Sequence, residues 1–238
     1  MHSKHNIFIL KIIFCEQLTM KLKISKNSLW LCYSLSNLSS MNQMIPSSLE
    51  VAKVSPFEGI TPSEMLLFNA YELKCLPWMN GARVDIQTFA RDKVTGTPHL
   101  VILDVLTNTR NWDPKNGITS PNYEAIINER PGIDLTFLGE KKFSVVGSPA
   151  RIRKPNYTFI VEANKKCFFS TFENEYRMDF EEKEIMHPVT ELSNLKIQNT
   201  CWTKFRGEFI TAFKHNKPMQ FNVHVNPLKL SQGKRKIE

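Results

Sequence analysis

Three stretches of the chain alternate apolar and polar side chains with the period of two expected of half-buried strands. Val84, Ile86 and Thr88 alternate with Asp85, Gln87 and Phe89; Tyr157, Phe159, Val161 and Ala163 alternate with Thr158, Ile160 and Glu162; Met219, Phe221, Val223 and Val225 alternate with Gln220, Asn222 and His224. Two of these have a return partner. Asp92–Gly96 connects the first to an apolar run, His99–Leu106, broken only by Asp104, and Asn164-Lys165-Lys166 connects the second to Cys167–Phe172. Both read as hairpins. Phe143–Val146 is a further short run of the same kind.

Helical spacing occurs in two places. Thr61 as N-cap, Pro62 as first helical residue and Glu64 three places after the cap form a capping box before Met65, Leu66, Phe68, Ala70 and Leu73, and Pro77 stops the run. Trp202, Phe205, Phe209 and Phe213 follow at intervals of three and four and predict a second helix despite Gly207. Residues 107–123, rich in Asn, Asp, Pro, Gly, Ser and Thr and carrying Trp112, read as a long loop of the kind that is functional or disordered. The order is helix, hairpin, long loop, hairpin, helix, strand, with no internal repeat.

Closely spaced strands with few helices predict a mainly β fold with minor α content. The expected form is a small antiparallel barrel flanked by one or two helices. Five or six strands with an interposed helix resemble, in pattern, the oligonucleotide-binding (OB) barrel; a β-sandwich is the alternative.

Composition narrows the class. The 238 residues suit one large domain or two small ones, and 42% hydrophobic content excludes a disordered chain. No apolar run reaches the length of a membrane span, so no membrane partner is expected. Five widely spaced cysteines argue against a disulfide scaffold and for a reducing compartment. The net charge of +8 is unevenly placed. Residues 1–44 carry five lysines against Glu16, and residues 229–238 carry Lys229, Lys234, Arg235 and Lys236 against Glu238, which leaves 45–228 near neutral. The expected organisation is an extension over 1–44 outside the fold, a single barrel domain over 45–228 and a basic tail over 229–238. A targeting peptide or a structured arm are the other readings of 1–44.

Motifs for chemistry are sparse. There is no GxGxxG or phosphate-binding loop, no CxxC or HxxxH pair and no GxSxG elbow. No catalytic residue, metal or cofactor is therefore expected. One exception is weighed: Asp134 followed by Glu140-Lys141-Lys142 has the carboxylate…E-x-K form of a metal-dependent nuclease, although two acids on a solvated turn explain it as well.

The most suggestive segment is basic and aromatic together. Lys141, Lys142, Arg151, Arg153, Lys154, Lys165 and Lys166, against Glu140 and Glu162, interleave with Tyr157 and Phe159, the mixture a single-strand groove uses to track phosphates and stack bases. The competing reading makes the rings core and the cations solvated rim. Trp112, between Arg110 and Lys115, is a further candidate stacker or a protein-contact anchor. The acidic stretch Glu173–Glu184 opposes nucleic acid and suits a protein-facing or solvated edge. The expectation is a non-enzymatic, nuclear OB-type protein that binds single-stranded nucleic acid, DNA in particular. It would act alone or as a subunit of a replication, repair or telomere-protection complex. A β-rich protein adaptor and the nuclease are the alternatives.

Overall fold

The computed structural model describes residues 18–24, 28–74, 81–107, 118–119, 123–127, 132–137, 140–156, 159, 163, 167–169, 174–180, 187–199, 206–217 and 219–225. The strands in chain order are β1 (Leu18–Ile24), β2 (Leu29–Ser34), β3 (Leu49–Val51), β4 (Lys53–Val54), β5 (Ser63–Lys74), β6 (Gly81–Asp92), β7 (Pro98–Thr107) and β8 (Ile118–Thr119). They continue as β9 (Tyr123–Ile127), β10 (Gly132–Phe137), β11 (Glu140–Arg153), β12 (Cys167–Phe169), β13 (Asn174–Phe180), β14 (Val189–Asn199), β15 (Phe209–His215) and β16 (Met219–Val225). A short helix, α1 (Leu38–Asn42), is capped by the Asn37 side chain, which accepts from the Ser40 N–H at 3.3 Å.

β5 is the centre. β2 lies along one edge, from Leu29↔Ala70 to Ser34↔Met65, and β6 along the other, from Leu66↔Thr88 to Leu73↔Gly81. From β2 the sheet runs through β15, β14, β11 and β10 to β9 as an open arm. From β6 it runs through β7, β12, β13, β16 and β1, and β1 returns to β5 at Lys23↔Lys74 and Ile24↔Leu73. The β7–β12 and β7–β8 ladders are parallel.

This corrects the expected architecture while keeping its class. The protein is mainly β, but the sixteen strands of the described residues do not form a small OB barrel, and with its open arm the sheet does not close as one barrel. The β6–β7 hairpin was legible; the non-local pairings that join it to the rest were not. The boundary placed at residue 44 is not respected either. β1 and β2 are internal to the sheet, with Leu29, Leu31 and Cys32 at 0–1% exposure.

Both expected helices are replaced by strands where they are described. Residues 65–71 are all buried because β2 and β6 flank them and both faces are covered. Such a strand loses its period of two, and its apolar run also fits a helical stripe. The residues of the capping box are engaged elsewhere, Glu64 with Lys53 and Ser63 with Val54 in the β4–β5 ladder. Phe209 and Phe213 lie in β15, between β2 and β14. Gly207 precedes it where a Cβ would stand 1.9 Å from the Ser34 carbonyl oxygen, so only glycine allows the two backbones to meet. The Val84–Thr88 and His99–Leu106 hairpin forms as β6 and β7, with the Asp92 carboxylate accepting from the Val94 and Thr95 N–H groups in its turn. In the second expected hairpin, Phe159 and Ala163 are helical instead, while Cys167–Phe169 is β12.

The central strands present two faces. Leu31, Phe68, Ala70, Val84, Ile86 and Ala212 belong to an apolar cluster that Met41 of α1, Ile45 and Leu49 close over. The other face is of a different kind.

Candidate functional site on a buried polar face

A period of two sends Arg83, Asp85 and Gln87 of β6 to the face opposite Val84 and Ile86. These three are 2–5% exposed, as buried as the apolar core. Asp85 is the hub. Its Oδ1 accepts from Arg83 Nε at 2.5 Å, and its Oδ2 accepts from the Tyr71 hydroxyl at 2.8 Å and from Gln87 Nε2 at 3.4 Å. Tyr71 comes from β5, where Tyr71↔Arg83 and Asn69↔Asp85 are direct register partners. Taking a carboxylate and a guanidinium out of water costs several kcal/mol per ion, and an apolar pair of similar volume is often as stable or more so. Stability is therefore a poor reason for this pair to be here.

Beside the network lies a corner in which polar atoms have no partner. Trp30 is the register partner of Asn69, and the next positions toward one end of the face are Ser28 and His215, whose backbones join through His215 N–H to the Ser28 carbonyl at 2.9 Å. The Trp30 and His215 rings stand 5.6 Å apart, edge to face. Five buried side-chain polar atoms lack a hydrogen-bond partner among the described residues, and four are here: Ser28 Oγ, Trp30 Nε1, Asn69 Oδ1 and His215 Nε2. Burial pushes the His215 imidazole down to about 4, so it is neutral at physiological pH. Cys32, on the same face, is fully buried, and burial pushes its thiol up, which makes it a packing group and not a nucleophile.

The row continues outward through Phe213 to Glu191 and Arg151. Glu191 accepts from Arg151 Nε, from Arg153 Nε at 2.8 Å and from the Thr211 hydroxyl at 3.0 Å. The bonds from Arg151, then Arg153 and Thr211, hold its carboxyl at about 2 against the opposing effect of burial. Phe57 covers this end of the face, with its ring 4.1 Å from Phe213 and 5.5 Å from Trp30. Its loop is tied down by Glu58 N–H to the Lys154 carbonyl and Asn156 N–H to the Pro56 carbonyl. Gly59, at φ +72°, receives the Arg153 guanidinium against its Cα. Toward the other end, Phe159 packs on Phe89 at 4.9 Å.

Of the residues expected to bind nucleic acid, Lys141, Lys142, Arg151, Arg153, Lys154 and Phe159 are among the described residues. Arg151 and Arg153 share Glu191, a single carboxylate that offsets one of their two charges. Phe159 is half-buried against Phe89, as in the core reading of the rings. Lys154 is exposed, in the segment that anchors the Phe57 loop. Lys141 and Lys142 belong to β11. Tyr157, Lys165, Lys166 and Trp112 lie outside the described residues, as does the basic tail. For the nuclease alternative, Asp134 is registered with Ser144 and Glu140 with Phe137. The backbones of the two acids are thus three register positions apart along the β10–β11 hairpin. No group of three or more His, Cys, Asp or Glu among the described residues could hold a metal. No described helix is long and apolar enough to cross a membrane.

Arg83 and Asp85 went unnoticed because an alternating strand shows that its polar set shares a face without showing whether water or protein covers it. One signal was available: they are the first arginine and the first aspartate of the chain, after 82 residues without either.

No protein-family model matches the chain, and no curated protein matches it in sequence. Solved structures do resemble it. The enduracididine biosynthesis enzyme MppR, in its complex with pyruvate, superposes with a TM-score of 0.52 at 8% identity, over 90% of this chain and 90% of that one. An acetoacetate decarboxylase-like enzyme from Sphingomonas wittichii RW1 superposes at 0.45, with 9% identity over 87% and 91% of the two chains. Acetoacetate decarboxylase from Legionella pneumophila gives 0.41, with 8% identity over 89% and 85%. The likeness to MppR is one of fold. It removes the OB assignment and, with it, the expected single-stranded nucleic-acid partner and telomere or repair setting. The expectation of a non-enzymatic OB-type protein is corrected with it, since the fold the chain shares is that of the enzyme MppR.

Proposed function

We propose that this protein is an enzyme acting on a small polar organic molecule held against the Tyr71–Arg83–Asp85–Gln87 network. The observation that carries the reading is the buried ion pair at its centre, which the fold maintains at a cost in stability. Arg83 supplies a guanidinium whose N–H groups can donate to an acidic substrate group in a water-poor site, and Asp85 fixes that guanidinium in place. Tyr71 and Asp85, joined by a 2.8 Å hydrogen bond, are the groups able to hold and pass a proton there. Such a site suits a short carboxylic acid with a neighbouring carbonyl. MppR, whose fold the chain shares, was solved with pyruvate, an acid of that type.

Titration calorimetry with pyruvate and acetoacetate tests the reading. Binding of at least one acid is expected, with a loss of about tenfold or more in an Arg83→Met, Asp85→Leu double variant that keeps the wild-type circular dichroism. Absence of binding by the folded wild-type protein, or equal binding by the double variant, overturns it.

A further inference from the structure

The unpartnered corner beside the ion pair points to a second ligand-binding element, and its chemistry differs from that of the first. A polar side-chain atom buried without a partner loses its hydrogen bonds to water and gains nothing in return, so such atoms are uncommon singly. Here four occur side by side, on Ser28 just before β2, Trp30 of β2, Asn69 of β5 and His215 of β15. Ser28 is 1% exposed, and Asn69 and His215 are each 8% exposed. None of the four uses another as its partner, although Trp30 and Asn69 are directly registered and the Trp30 and His215 rings are in contact. Their chemistry is complementary to a third party: the indole N–H only donates, the Asn69 oxygen only accepts, and the hydroxyl and the neutral imidazole can do either.

We propose that the Ser28–Trp30–Asn69–His215 corner binds an uncharged group that carries both a hydrogen-bond acceptor and a donor, such as a primary carboxamide or an α-hydroxy carbonyl. None of the four side chains brings a formal charge, so a carboxylate gains no ionic partner here, whereas an acceptor facing Trp30 Nε1 and a donor facing Asn69 Oδ1 satisfy two orphaned atoms at once. The proposal rests on the proposed function only in reading this face as a binding face. It adds that a substrate or co-substrate has two ends, an acidic one at Arg83 and an uncharged one at Trp30. Phe57 lies on the Trp30 ring and forms the apolar wall of the corner.

The test uses the full-length protein, two probes and three variants. Lactamide is the uncharged probe and pyruvate the anionic one. The indole ¹⁵N–H resonance of Trp30, assigned from its loss in Trp30→Phe, reports on the corner. Trp30→Phe keeps a ring against Phe57 and His215 and removes the donor, and Asn69→Leu removes the side-chain amide with its acceptor. Lactamide is expected to move the Trp30 resonance downfield and to bind about tenfold more weakly to either variant, while pyruvate affinity changes little. Arg83→Met is expected to do the reverse. A Trp30 resonance that contacts only water and does not move with lactamide overturns the proposal, as does lactamide binding that both corner variants leave intact. Loss of both probes in Arg83→Met alone also overturns it, leaving the acidic site standing. Lactamide binding that depends on Trp30, without any pyruvate binding, supports the corner and sinks the acidic-substrate reading instead.

Discussion

The two faces of the central strands are separated by one residue of phase along each strand, and both are buried. On the apolar face, Leu31, Phe68 and Ile86 are at most 3% exposed, and each contributes through transfer from water, about 1.5–3 kcal/mol for a large side chain. On the polar face, Arg83, Asp85 and Gln87 are buried to a similar depth, and every polar atom needs an aimed partner. Around Asp85 the partners are present; around Trp30 and His215 they are not. Burial alone therefore does not separate core from site in this sheet. The demand for directed bonds does.

The contrast should break most sharply under truncation. Phe68→Ala is expected to cost about 3–5 kcal/mol in urea unfolding and to leave the binding of small acids unchanged once the protein is folded. Asp85→Ala is expected to cost a similar 3–5 kcal/mol for another reason, because it strands the Arg83 charge in the interior. The two are told apart by repair. Replacing both members, Arg83→Met with Asp85→Leu, should recover most of the lost stability while binding stays lost. A double variant no more stable than Asp85→Ala would show that the pair stabilises the fold as a core does.

Acid sharpens the comparison next. His215 titrates near 4 in the folded chain against an ordinary 6.5, so between these values the unfolded chain binds the extra proton. Stability is then complete above about pH 6.5 and falls as pH drops toward 4, by an amount of order 3 kcal/mol. Glu191 works in a lower window. Its carboxyl is held at about 2, so its contribution is present above 4.5 and is lost as pH falls toward 2. Urea midpoints measured from pH 8 to pH 4 should decline in the wild type and flatten in His215→Gln; an unchanged slope in that variant would remove His215 as the cause.

The smallest expected effect is at the rim. Gly59 has φ +72°, and a Cβ there would stand 2.3 Å from Arg153 Nη1. Gly59→Ala should cost about 1–2 kcal/mol. It should also loosen the Phe57 loop, seen as faster amide exchange at Glu58 and Asn156, with the apolar face unaffected. Unchanged exchange at those two amides would show that Arg153 does not hold the loop.

How much of this could be read from the chain differs strand by strand. β6 and β16 were legible because each alternates, and the β6–β7 hairpin because its turn carries Asp92 and Gly96. β5 was not. Its run from Met65 to Tyr71 is covered on both faces, and a preceding Thr-Pro-Ser-Glu imitates a helix start. With β5 read as a helix, the polar set of β6 has no neighbouring strand whose inner face it could share. Arg151 and Arg153 were visible as cations, but Glu191, which pairs with both, lies about 40 residues on and meets them only through the β11–β14 ladder.

By itself the sequence determined the β class, the local hairpin and the absence of familiar phosphate, metal and nucleophile motifs, because these depend on side-chain period and on residues close in the chain. Only the tertiary structure decided which strands adjoin, and hence which polar residues are interior. Register between β2, β5, β6 and β15 is set by contacts tens to well over a hundred residues apart, and one residue of phase decides whether Asp85 faces the apolar core or the site.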